Sequence, residues 1–269
     1  MGQVTANGIN LAYDIVGEGD PVLLICGTGQ PAVSWQVFMV PALVAAGYKV
    51  VTFDNRGMPP SDCPPAPYSV DGMVQDTAGL IEALEIGPCR VIGYSLGAFI
   101  AQELSLARPD LVSSVVLMGT VGRQNAYFTA TVNAVVEFDR SGIELPAAYA
   151  ATVGLGGLIG PHSLANDDQV NLYLAFTLGG EQWANPGRLG QHEADAGYDK
   201  RLEALGGVTV PTMVIVFELD ATCLAPLGRE VAAAIPGARL VEIAGVGHFG
   251  PFEAPDEVNK EIVGFLAEH

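Results

Sequence analysis

Ser95, Asp220 and His248 are the residues of this sequence whose types and surroundings could do chemistry. A serine hydroxyl is a poor nucleophile at neutral pH. It needs a base to take its proton, an acid side chain to orient that base, and N–H donors for the oxyanion that forms. Imidazole is a suitable base because its pKa lies near working pH. Ser95 stands in Gly93-Tyr94-Ser95-Leu96-Gly97, Asp220 in Phe217-Glu218-Leu219-Asp220-Ala221, and His248 in Gly245-Val246-Gly247-His248-Phe249-Gly250. Each also has an ordinary reading: a glycine-bracketed histidine is a common loop residue, and Asp220 can simply form a turn. Glu218 competes for the acid role but belongs to a strand end.

The elements that must hold these groups can be read around them. Arg90-Val91-Ile92 is a short apolar run, and Ala98 to Ala107 is a helical run ended by Arg108-Pro109. Strand, tight Gly-x-Ser-x-Gly turn and helix together make a nucleophile elbow. Gly93 and Gly97 would let strand and helix crowd around a strained Ser95, whose hydroxyl is then exposed at the carboxyl end of a sheet. Asp220 follows an expected strand at Thr212–Phe217, and His248 follows one at Arg239–Ile243. The other place for an acid, after the run ending at Met118, offers only Gly119-Thr120. Glycines around His248 are expected to present its ring on a loop rather than bury it. Cys26-Gly27-Thr28-Gly29 follows another run, Val22–Cys26, and makes the backbone N–H groups of Thr28 and Leu96 the candidate oxyanion donors. Cys26 itself reads as a small buried residue beneath that loop.

The rest of the chain supplies the frame. Asn7-Gly8 is a hairpin signal, followed by Ile9, Leu11, Tyr13 and Ile15 on alternate positions. Val50 to Phe53 and Val112–Met118 complete a set of apolar runs that fit strands covered on both faces, hence a parallel sheet. A helix carrying Val70, Met73, Val74, Leu80, Ile81 and Leu84, capped by Ser69 or Asp71, lies between two of them. A last helix starts at Pro255-Asp256-Glu257 and carries Val258, Ile262, Phe265 and Leu266 on one face. Alternating strands and helices predict a doubly wound α/β fold. Val121 to Gly207 interrupts the alternation with helical segments and the aromatics Tyr127, Phe128, Phe138, Tyr149, Tyr173, Phe176 and Trp183. A structureless loop of that length is improbable. The division is therefore an α/β core over 1–120 and 208–269, with a helical cap at 121–207.

Composition narrows the function classes. The 269 residues are 49% hydrophobic and carry a formal net charge of −18, which disfavours binding to nucleic acid or an anionic membrane surface. No secretion signal and no apolar run of membrane-spanning length is read, so a cytoplasmic protein is expected. Four cysteines and four histidines show no metal-ligand spacing, and neither metal nor cofactor is expected. The expected partner is a small-molecule substrate, with a homo-oligomer left open. Arg123, Arg140, Arg188 and Arg201 are the arginines of the cap, and as solvated surface groups they offer a strongly anionic substrate little help.

With these residues assembled, the chain resembles the α/β-hydrolase superfamily over nearly its whole length. It is most similar to the branch named after cofactor-free, non-haem bromoperoxidases and chloroperoxidases, perhydrolase-type serine enzymes with related esterases. The resemblance is carried by Val51-Thr52-Phe53-Asp54-Asn55-Arg56-Gly57, by Gly93 to Leu104, by Leu227 to Ala232 and by Gly245 to Gly250. It implies Ser95, Asp220 and His248 as the catalytic triad, Thr28 and Leu96 as the oxyanion hole, and Asp54 with Arg56 as a structural loop. Two departures stand out: Cys26 where the family usually has His before Gly, and Met58-Pro59-Pro60-Ser61 in place of x-Gly-x-Ser. The implied activity is serine-dependent hydrolysis of a carboxylic ester, thioester or lactone of a hydrophobic molecule. Alternatives on the same fold are a haloperoxidase or perhydrolase, and a lyase, cyclase or carbon–carbon hydrolase of small-molecule biosynthesis. A non-catalytic ligand-binding protein is the remaining reading. Haloalkane dehalogenases and epoxide hydrolases of this fold use an aspartate nucleophile, which Ser95 is not.

Overall fold

The computed structural model describes residues 1–179 and 187–269; Trp183 lies outside these residues, and so does the side chain of Phe176. The strands are β1 (Gly2–Ala6), β2 (Ile9–Val16), β3 (Pro21–Ile25), β4 (Lys49–Phe53), β5 (Cys89–Tyr94), β6 (Val112–Met118), β7 (Thr212–Phe217) and β8 (Arg239–Ile243). They form one sheet in the order β1-β2-β4-β3-β5-β6-β7-β8. β1 and β2 are antiparallel to their neighbours, and every pairing from β4 onward is parallel. Asn7 and Gly8, both at positive φ, make the two-residue turn between β1 and β2.

Alternate residues of the parallel strands feed two separate cores, as runs buried on both faces must. On one side Leu23, Ile25, Val91 and Leu117 pack against α3 (Val70–Ala83) and α4 (Leu96–Ala107). On the other, Leu24, Ile92, Val116 and Ile215 pack against residues of α1 (Trp35–Phe38), α2 (Val40–Ala45) and α13 (Pro255–Glu268). Ser69 caps α3, its hydroxyl accepting the Gly72 N–H at 3.1 Å. The apolar stripe of α13 is Val258, Ile262, Phe265 and Leu266, all buried.

Between β6 and β7 the chain runs through α5 (Ala126–Ser141), α6 (Ala147–Leu158), α7 (Pro161–Leu164), α8 (Asp167–Gly179), α9 (Gly187–Gly197) and α10 (Leu202–Leu205). After β7 come α11 (Ala225–Ala234), then β8 and the single turn α12 (Gly250–Glu253). The α5 and α9 helices pack on one another, and ion pairs from Asp139 to Arg188 and from Arg140 to Glu193 fasten them.

Candidate active site

Ser95 sits between β5 and α4 with φ 55° and ψ −121°, a conformation that side chains other than glycine adopt at a cost. The strain is held by close packing on either side. A Cβ on Gly93 would lie 2.3 Å from the Gly97 carbonyl oxygen, and one on Gly97 would lie 2.1 Å from that of Ile25. Both positions therefore exclude any side chain, and the turn projects the Ser95 hydroxyl off the sheet edge.

The remote groups converge on that hydroxyl. His248 Nε2 lies 3.0 Å from Ser95 Oγ, and His248 Nδ1 lies 2.7 Å from Asp220 Oδ2. The other Asp220 oxygen accepts the backbone N–H groups of Thr222 at 2.8 Å and Cys223 at 2.7 Å, which fixes the carboxylate. Glu218 points away and accepts the Gly245 N–H at 2.8 Å. Gly119, at φ 55°, approaches so closely that a Cβ there would stand 3.1 Å from the His248 ring.

The glycine-flanked His248 loop differs from its expected openness. The ring is buried, at 3% exposure, because Tyr94 donates to the His248 carbonyl at 3.0 Å and the Phe249 N–H donates to Leu158 of α6 at 2.8 Å. Glu253 completes the anchoring by accepting the N–H groups of Gly247 at 2.8 Å and Gly160 at 2.9 Å. What the ring meets is a cavity of about 520 Å³, partly open to the surface and of a size suited to a small molecule. Ser95 and Thr28 lie at its floor; Phe128, Val132, Val135, Val153 and Leu158 of α5 and α6 form an apolar wall.

Thr28 lines the same cavity as Ser95 and Leu96 follows it in the chain; among the described residues neither backbone N–H has a protein acceptor. Leu96 opens α4, so the helix dipole favours negative charge there. The Thr28 loop is braced from both sides. Gln30 accepts the Gly27 N–H at 2.9 Å, while Gln191 of α9 accepts the Gly29 N–H at 2.9 Å and donates to the Arg56 carbonyl at 2.8 Å. Asp195, one helical turn further along α9, accepts the Thr28 hydroxyl at 2.6 Å. None of Gln30, Gln191, Asp195 or Glu253 was legible in the sequence; only a turn-length spacing on a polar helix links the α9 pair.

Two buried thiols stand near the site. Cys26 is fully buried, its sulfur accepting the Trp35 indole N–H at 3.1 Å, and burial with nearby Asp54 pushes its pKa well up. Cys223 lines the cavity, and burial, then the charges of Asp220 and Asp195, likewise raise its pKa. Asp54 accepts the Ala32 N–H at 2.7 Å and Arg56 pairs with Asp76, so both tie loops together. Among the described residues no cluster of three or more His, Cys, Asp or Glu side chains could hold a metal ion, and no helix is long and apolar enough to cross a membrane.

The sequence pattern of the alpha/beta hydrolase family matches residues 22–261. The chain belongs to that family. It is 41% identical to the putative non-heme bromoperoxidase BpoC of Mycobacterium tuberculosis strain H37Rv over 259 residues, covering 96% of this chain and 98% of the relative. The crystal structure of that protein superposes with a TM-score of 0.91, covering 97% of this chain and 96% of the other. A putative carbamate hydrolase, RutD of Azorhizobium caulinodans, is 28% identical over 266 residues, 96% of each chain. Family membership and these enzyme relatives make this chain an enzyme of the alpha/beta hydrolase fold.

Proposed function

We propose that this enzyme is a serine-nucleophile hydrolase of a carboxylic ester, thioester or lactone of a hydrophobic small molecule. The single observation that carries the reading is the unbroken line from Ser95 Oγ, which lines the cavity, through the His248 ring to the buried Asp220. His248 Nε2 takes the Ser95 proton as Oγ attacks the carbonyl carbon, and Asp220 holds the ring while stabilising its cation. The oxyanion accepts from the Thr28 and Leu96 N–H groups. His248 then returns the proton to the leaving oxygen or sulfur, and water repeats the sequence on the acyl-enzyme to free the acid. Residues 121–207 act as the cap of this site, their apolar wall favouring a hydrophobic substrate and excluding bulk water.

Ser95→Ala is expected to remove turnover of p-nitrophenyl esters and covalent labelling by a fluorophosphonate probe. Labelling that survives the substitution would eliminate Ser95 as nucleophile. A second reading, favoured by the likeness to the putative non-heme bromoperoxidase of Mycobacterium tuberculosis, is perhydrolysis. In it hydrogen peroxide replaces water at the acyl-enzyme, and the released peracid oxidises bromide. Bromination in acetate buffer no faster than with Ser95→Ala rejects it.

A further inference from the structure

The cavity is short of cations. Each cap arginine is committed to a carboxylate: Arg123 to Glu230 at 2.6 Å, Arg140 to Glu193 at 2.6 Å, Arg188 to Asp139 at 2.8 Å and Arg201 to Glu103 at 2.6 Å. Neither lysine nor arginine lines the cavity among the described residues. It contains instead one carboxylate beyond the triad, Asp195. That group uses Oδ2 to accept the Thr28 hydroxyl, and among the described residues Oδ1 has no protein donor.

The position matters as much as the charge. Thr28 supplies both the hydroxyl that meets Asp195 and the N–H placed for the oxyanion. The carboxylate is therefore linked to the carbonyl oxygen of a bound acyl group through a single residue, with a hydrogen bond at either end. Burial pushes the Asp195 pKa up to about 6, against the opposing Thr28 hydrogen bond and the charges of His192 and His248. At neutral pH it is thus an anion against an apolar wall, where a donor from the ligand is worth more than in water. His192, on the same helix, also faces the cavity and engages Asp139 through Nδ1 at 2.6 Å.

We infer that Asp195 makes this cavity select acyl compounds bearing a hydrogen-bond donor, an ammonium above a hydroxyl, close to the reacting carbonyl, and disfavour those bearing a second carboxylate. This rests on the serine-hydrolase reading for the placement of the carbonyl. The acid is a specificity-determining residue: it touches substrate at a non-reacting group, and the chemistry at Ser95 proceeds without it.

Binding tests this apart from turnover. Four matched esters, ethyl 3-aminobutyrate, ethyl 3-hydroxybutyrate, ethyl butyrate and monoethyl succinate, are titrated calorimetrically into Ser95→Ala and into Ser95→Ala with Asp195→Asn at pH 7.5. In the first protein the amino ester is expected to bind about tenfold tighter than ethyl butyrate, the hydroxy ester between them, and monoethyl succinate weakest. In the second, the amino and neutral esters are expected to come within about twofold, since Asn is isosteric and still accepts from Thr28. A ranking left unchanged by Asp195→Asn, or no binding of any ester, overturns the inference. Failure of the hydrolase reading looks different: the unmutated chain binds ethyl butyrate and releases no ethanol from it.

Discussion

His248 and His192 each meet a carboxylate through Nδ1, at 2.7 Å from Asp220 and 2.6 Å from Asp139, and both rings face the same cavity. The two pairs are nearly alike in length but differ in what stands behind each acid. Asp220 is held by two neutral backbone donors, so its full charge is available to an imidazolium. Asp139 has the Arg188 guanidinium 2.8 Å from its second oxygen, and its charge is already balanced. In front, His248 reaches the strained Ser95 at the end of β5, whereas His192 belongs to a helix fastened sideways to α5. A histidine–aspartate contact is therefore not a catalytic element in itself. Its neighbours decide whether it moves a proton or secures a helix.

Substitutions should separate the two roles by orders of magnitude. His248→Ala is expected to lower kcat by about 10⁵-fold, the scale seen when the base of such a relay is lost, while His192→Ala stays within about tenfold. Equal losses in a p-nitrophenyl ester assay would erase the distinction. Asp220→Asn is expected to cost about 10⁴-fold in kcat, because an amide no longer stabilises the ring cation or its tautomer, with little change in melting temperature. Asp139→Asn should do the reverse. It leaves kcat within a few-fold but costs about 3 kcal/mol in urea unfolding, since a largely buried guanidinium loses the nearer of its two carboxylates.

The smallest effect is in acid. Burial alone would raise the Asp139 carboxyl, but the His192 hydrogen bond and charge, with those of Arg188, outweigh it and hold the group below its ordinary 3.8. A depressed native pKa contributes stability that is present above the unfolded value and lost as pH falls through the folded one. Below about pH 4 the unmutated chain should therefore lose stability more steeply than Asp139→Asn. Parallel slopes in acid unfolding curves would place the stabilising charge elsewhere.

Much of the fold was legible because its determinants are local. The runs at Val22, Val50, Arg90, Val112 and Thr212 are strands within about a residue of where their apolar composition places them, since residues buried on both sheet faces leave largely hydrophobic stretches. The start of α3 at Ser69 or Asp71, of which Ser69 is the cap, and the apolar face of α13 follow from side-chain period and end chemistry. The burial of the His248 ring was not legible. Flanking glycines describe what the backbone is free to do, whereas Tyr94, Glu253 and Leu158 decide where the loop is tied.

By itself the sequence determined the serine turn, the order of the candidate groups and the sheet that carries them, because each depends on steric and hydrophobic relations among near neighbours. Only the tertiary structure brought Asp195 to Thr28 across 167 positions, and paired His192 with Asp139 across 53. A hydrogen bond between distant segments imposes no period on either one. The polar helix α9 reads as a solvated surface until folding turns its side chains toward the Thr28 loop and the cavity.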